Sequence, residues 1–271
     1  MVPVTDLPRV RLVATDLDGT LVHSDGSITP RTRDALLAAE AAGIAVVFVT
    51  GRPLRWAEEV FDHVGGHGLA IVSNGALVWD VAGDAVRMTR TIDPVVGIEV
   101  CRLIREAVPG SHFAVEQLPG IALEPGFLER NAIPDDARRG SVEEIFDGPA
   151  LKLLARHEEI SPQEFWDRAE AVVGDRVVIT WSSGSAMLEM SAAGVTKATT
   201  LALLCAERRI APAEVLAIGD MPNDIALLEW AGTSYAMGNA HPTVQAVADH
   251  VAPSNDDDGV ARVIEELLAH G

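Results

Sequence analysis

The chain has 271 residues, 48% hydrophobic but only 4% aromatic, so it can bury a large core built from aliphatic side chains. Its 40 acidic against 21 basic residues give a formal charge of −19, which leaves no basic footprint for nucleic acid or anionic lipid. The N-terminus lacks the charged and long apolar regions of a signal peptide, and no apolar run reaches the roughly 18 residues of a membrane span, so a cytoplasmic protein is expected. Cys101 and Cys205 lie in apolar helical patterns without metal-ligand spacing and are expected as buried free thiols.

In chain order, "RVRLVATD" reads as an apolar strand and "RTRDALLAAEAA" as a helix opened by Thr29 and Pro30 and ended by Gly43. "IAVVFVT" is a strand apolar on both faces, Pro53 opens a second helix, and "LAIVSN" is a third strand. This series predicts a parallel sheet with helices on both sides. "ALVWD", the turn "VAGD" and "AVRMTR" then read as a hairpin. Residues 86–186 depart from that alternation, with a capped helix at "DPVVGIEVCRLIREAV", short strands, a loop-like stretch "LPGIALEPGFLERNAIPDDARRG", the strand "ALKLLARH", a helix opened by Ser161 and Pro162, and the strand "RVVITW". From "AMLEM" the alternation returns, with a helix from about Thr196, the strand "EVLAIGD", a helix after Pro222, the strand "TSYAM" and a closing helix. The expected organisation is an α/β, Rossmann-like core (residues 1–85 and 187–271) interrupted by an inserted α+β domain (residues 86–186). "NDDDG" near the end reads as a solvated helix start.

Residues two apart on a strand share a face, so Asp16 and Asp18 should converge at the carboxyl end of the first strand, the edge where open α/β sheets bind ligands. "AIGDMPND" ends a second apolar strand in acid, with Asp220 at its tip and Asn223 and Asp224 on the next turn. Hard oxygen donors from separate strand ends suit magnesium, while a turn and a helix cap are the ordinary alternatives. Thr50, before Gly51 and Arg52, offers a hydroxyl and free backbone N–H groups at a third strand end, as a phosphate cradle or a simple turn. Arginine outnumbers lysine 19 to 2, which singles out Lys152 and Lys197. Lys197 starts a helix, where the macrodipole disfavours a cation, and this suggests a task such as neutralising a phosphoryl oxygen.

Taken in order, "DLDGT" (Asp16 to Thr20), "VTGR" (with Thr50), "GVTK" (ending at Lys197) and "GDMPND" (Asp220 to Asp224) resemble the haloacid dehalogenase-like phosphohydrolases. The long insertion, "VSNGA" and "SNDDDGVARVI" resemble their large-capped, Cof-like branch (class IIB). The resemblance implies a phosphatase with Asp16 as nucleophile, Asp18 as proton donor and then base, and Thr50 and Lys197 binding the transferred phosphoryl group. It also implies a magnesium ion held by Asp16, the Asp18 backbone carbonyl and Asp220, with Asn223 and Asp224 in support. Asp18 must begin protonated, for which a nearby carboxylate and partial burial are expected. Gly51, Arg52 and Asn74 are the expected substrate contacts, with His23 beside them. Lys152, Arg156, Trp181 and Glu116 are candidates for reading the leaving group from the cap. His63 and His67 are four apart, but Gly65 and Gly66 between them argue against a zinc pair. The implied substrate is a small phosphorylated metabolite, a sugar phosphate or a phosphorylated cofactor, bound by a monomer or homodimer. A phosphotransferase or phosphomutase of the same superfamily, or a non-catalytic phosphometabolite-binding protein, is the alternative.

Overall fold

The computed structural model describes residues 10–64, 68–128, 133–180 and 186–270. Strands and helices alternate at first: β1 (Leu12–Thr15), α1 (Pro30–Ala41), β2 (Ala45–Val49), α2 (Leu54–Val64) and β3 (Leu69–Val72). The hairpin β4 (Leu77–Asp80) and β5 (Ala85–Thr89) follows. The middle of the chain holds α3 (Pro94–Ala107), β6 (His112–Gln117), β7 (Gly120–Leu123), β8 (Arg138–Arg139), α4 (Val142–Ile145), β9 (Lys152–Arg156), α5 (Pro162–Val173), β10 (Val177–Thr180) and β11 (Met187–Ala192). It closes with α6 (Lys197–Arg208), β12 (Val215–Gly219), α7 (Ile225–Trp230), β13 (Thr233–Ala236), α8 (Pro242–Gln245), β14 (His250–Val251) and α9 (Gly259–His270).

The strands form two sheets. The first runs β14-β13-β12-β1-β2-β3-β4-β5, parallel from β14 to β3 with β4 and β5 antiparallel at its edge. Strands β1, β3 and β12 are buried along their whole length and β2 beyond Ala45, as aliphatic runs covered on both faces must be. Caps act where the sequence places them: the Thr29 side chain accepts from Thr32 N, with Pro30 at the first position of α1.

The second sheet runs β10-β11-β9-β6-β7-β8, antiparallel except for the β7–β8 pair. Alternation along β9 sends Leu153 and Ala155 into a core with Phe113, Val115, Ile104 and Phe165 under α3 and α5. Lys152, Leu154 and Arg156 take the other face. Two expectations change here. The loop-like stretch after residue 117 contains the strand β7 and the short strand β8. Met187–Ala192, expected to begin the return to the first sheet, instead pairs with β9 and β10 in the second. The local pattern "MLEMSA" fits either sheet; pairing across some 30 residues with β9 decides it.

Candidate active site

Strand order brings the chemistry together. With β12, β1, β2 and β3 as parallel neighbours, the residues that follow them, Asp220, Asp16, Thr50 and Ser73, share one carboxyl-terminal edge. Asp16, Asp220 and Asp224 are buried there, each with a carboxylate oxygen within 4.8 Å of the others'. Gly19 makes room for Asp220: at φ +73° it turns in a conformation other residues avoid, and a Cβ would sit 2.4 Å from Asp220 Oδ2. Thr20 Oγ1 donates to Asp220 Oδ1 at 2.8 Å. Asp224 stays in place by accepting from the Asp220 and Met221 backbone N–H groups, at 3.1 and 3.2 Å.

Lys197 enters from the first turn of α6. That turn is docked by Thr200 Oγ1, which donates to the Gly75 carbonyl at 2.7 Å. Gly75 (φ +107°) admits the contact because a Cβ would lie 2.3 Å from the Thr196 carbonyl. Fully buried, Lys197 Nζ donates to Asp16 Oδ1 (2.8 Å) and Asp224 Oδ1 (2.7 Å). Burial works against its charge, but Asp16 and Asp224 more than offset this and raise its pKa. The acids remain under-compensated. Burial holds Asp16 well above the usual carboxylate range; Lys197 pulls it down, and Asp224 and Asp220 push it up further. Asp220 is pushed up to about 6, by burial first and then by Asp224. Three buried carboxylates against one ammonium, all with oxygen donors converging, fit a hard divalent cation.

Asp18 behaves differently. Its side chain is 58% exposed and is gripped by Arg52, with Nε to Oδ2 at 2.8 Å and Nη2 to Oδ1 at 2.5 Å. The burial expected for it is absent, because the residue lies past the end of β1. The Thr50 hydroxyl is buried and accepts from Arg52 N at 3.0 Å. Asn223 Nδ2 donates to Asn74 Oδ1 at 3.2 Å, and its buried Oδ1 has no hydrogen-bond partner.

Asn74 and Lys152 join the two sheets. Asn74 Nδ2 donates to Glu189 Oε2 at 2.7 Å and to Thr180 Oγ1 at 3.2 Å. Lys152 Nζ donates to Glu189 Oε2 (2.7 Å) and to the Gly51 carbonyl (2.6 Å). Glu116 pairs with Arg55, whose guanidinium lies 4.0 Å over the Trp56 ring. Arg156 is remote from these, against Met187 and Phe127, and His23 contacts Asp258 at 3.2 Å. Trp181, and the pair formed by the His63 side chain with His67, lie outside the described residues. Sequence reasoning missed Thr20, Arg55 and Glu189. Thr20 sits inside "DLDGT" and Arg55 three residues after Arg52, but nothing local marks Glu189.

Among the described residues no helix is long and apolar enough to cross a membrane. A family model for haloacid dehalogenase-like hydrolases matches residues 13–264. The 5-amino-6-(5-phospho-D-ribitylamino)uracil phosphatase YcsE of Bacillus subtilis (strain 168) is 26% identical over 266 residues, covering 96% of each chain. Two solved structures share the fold. SMU.1108c from Streptococcus mutans UA159 has a TM-score of 0.83 at 24% identity, with 96% of this chain and 99% of that one covered. The sugar phosphatase BT4131, described as haloacid dehalogenase subclass IIB, has a TM-score of 0.78 at 23% identity, with 97% and 100% covered. With an acid cluster and a buried lysine at the parallel sheet's carboxyl edge and a second sheet set over it, the chain belongs to the haloacid dehalogenase-like hydrolases, as a phosphatase with the inserted cap of their Cof-like branch.

Proposed function

We propose that the protein is a magnesium-dependent phosphatase that hydrolyses a small phosphorylated metabolite through an aspartyl-phosphate on Asp16. The observation that carries this reading is the cluster of Asp16, Asp220 and Asp224 around Lys197 at the sheet edge. Asp16, Asp220 and the Asp18 backbone carbonyl would hold the ion, with Asp224 in support; when bound it supplies positive charge against the phosphoryl oxygens and favours ionised Asp16.

In the first step an Asp16 carboxylate oxygen forms the bond to phosphorus while the ester oxygen leaves with its electron pair and takes a proton from Asp18. In the second, water gives a proton to Asp18 and attacks phosphorus, and the Asp16–phosphate bond breaks to release inorganic phosphate. Lys197 keeps one Asp16 oxygen oriented and offsets phosphoryl charge, and the Thr50 hydroxyl donates to the same group. Asp18 begins in the grip of Arg52, so the entering ester, bound as its monoanion, has to exchange that contact and pass its proton to Asp18 before Asp18 protonates the leaving oxygen. Gly51, Arg52 and Asn74 form the rim on which the substrate rests, and the second-sheet unit between β5 and α6 acts as the cap that excludes water. The relative that acts on a phosphorylated ribityl compound and the one described as a sugar phosphatase support a polyol or sugar phosphate as substrate class.

The test is phosphate release from a panel of phosphorylated metabolites, with EDTA and Asp16→Asn controls. EDTA-sensitive release, lost by about 10⁴-fold or more in Asp16→Asn, is expected. A wild type that releases phosphate from no panel member, or an active Asp16→Asn variant, would overturn the reading.

A further inference from the structure

The chain's other buried ammonium lies outside the acid cluster. Lys152 opens β9 with its side chain 4% exposed and is paired with Glu189 of β11, itself 7% exposed. These two belong to one sheet, so their charges cancel there whatever the first sheet does. The first sheet adds one acceptor and one donor: the Gly51 carbonyl takes a hydrogen bond from Lys152, and Asn74 Nδ2 gives one to the same Glu189 oxygen that Lys152 holds.

Those two contacts land on the turns that border the acid cluster. The turns hold each other through Asn74 N to the Thr50 carbonyl (3.1 Å) and Ser73 N to the Arg52 carbonyl (2.9 Å). Ser73 and Asn74 both sit at positive φ, 51° and 56°, a conformation that is strained for a non-glycine residue. A strained turn of this kind persists where its surroundings over-determine it, and here the second sheet supplies part of that determination.

We propose that Lys152 and Glu189 are positioning residues: the pair latches the second sheet onto the Gly51 and Asn74 turns, and through them sets Thr50 and Arg52 for phosphoryl transfer. Because the pair is neutral within its own sheet, opening breaks its two hydrogen bonds to the first sheet without separating Lys152 from Glu189; the Asn74–Thr180 bond and the Arg55–Glu116 pair cross the same gap. Removing one partner changes that balance. Glu189→Gln takes from the buried Lys152 ammonium the carboxylate it donates to, and Lys152→Met takes from Glu189 its ammonium; water relieves either once the sheets part. Removing both charges restores closure. What closure serves rests on the phosphatase reading, whereas the latch itself does not.

The test uses the full chain with magnesium. Leu37 of α1 and Glu170 of α5 are exposed, the native Cys101 and Cys205 are buried, and cysteines at positions 37 and 170 carry spin labels for distance measurement by double electron–electron resonance. Wild type should give one narrow distribution. Each single variant should add a longer population, and Lys152→Met with Glu189→Gln should return to the narrow one. On p-nitrophenyl phosphate the single variants should lose about 10-fold to 100-fold in kcat with KM nearly unchanged, and the double variant should recover most of it. If the single variants do not fold, Lys152→Arg, which keeps charge and donors, and the double variant should still show the closed distribution. Unchanged distributions in the folded single variants, or an open distribution in the double variant or in Lys152→Arg, would overturn the latch. A wild type that releases no phosphate while the distances behave as expected would sink the phosphatase reading and leave the latch standing.

Discussion

Lys197 and Lys152 are both buried against carboxylates, but their surroundings differ in balance. Lys197 faces Asp16 and Asp224, with Asp220 beside them, so negative charge is left over and the acids are driven above their ordinary range. Lys152 is paired one to one with Glu189, and the first-sheet groups that touch the pair, the Gly51 carbonyl and Asn74, are neutral, so the pair's own charges balance. Imbalance of that size is tolerable only where something positive is to be bound, and it marks a place for a ligand. Balance marks a joint. In a chain with two lysines, one therefore belongs to the chemistry and the other to the geometry around it.

The contrast is broken most directly at Lys197. Lys197→Met should lower kcat by about 10² to 10³, and adding Asp224→Asn, which corrects the charge count, should rescue none of it, because Lys197 touches the reacting carboxylate itself. At Lys152 the neutral double variant should rescue. Steady-state kinetics on both pairs decides the matter: rescue at Lys197, or its failure at Lys152, would erase the distinction.

A smaller effect follows from the raised acids. Asp16 and Asp220 both hold a proton more tightly folded than unfolded; the contribution of Asp220 to stability is fully present below pH about 4 and is lost as the pH rises through about 6, and that of Asp16 is lost in the same direction. In EDTA the Tm should therefore fall between pH 5 and pH 7, by about 3 °C. Magnesium should raise the Tm at pH 7 much more than at pH 5, and Asp220→Asn should flatten the slope in EDTA. Calorimetry across that window checks it; a Tm that rises with pH in EDTA would mean the cluster is compensated after all.

How far the sequence carries differs in the same way between the two lysines. The parallel core was legible because its strands are unbroken aliphatic runs bounded by Thr29 with Pro30, Gly43 and Pro53. Asp16, Lys197, Asp220 and Asp224 were legible because each sits at a strand or helix end, where a charge has no packing reason to be. Lysine scarcity flagged Lys152 without saying what it does. Its partner lies 37 residues away, and no local period says which acid meets which base. The same limit hid Glu116 and Arg55, 61 residues apart, and left β11 in the wrong sheet. Alternation from Asp16 does not foresee the exposure of Asp18, because alternation holds only while the strand continues, and β1 ends at Thr15.

That exposure supplies the smallest expected effect. Arg52 and Asp18 make a bidentate pair with better geometry than either lysine contact, yet the Asp18 side chain is 58% exposed and that of Arg52 24%. Solvent screens such a pair to at most about 1 kcal/mol. Arg52→Met should thus leave the Tm within about 3 °C of wild type. Each single Lys152 or Glu189 variant breaks a buried ion pair in the closed state, so it should lower the Tm more. If Arg52→Met proved as destabilising as Glu189→Gln, exposure would not be what separates these pairs, and the Arg52 grip on Asp18 would have to be counted as part of the joint rather than as a contact the substrate can exchange.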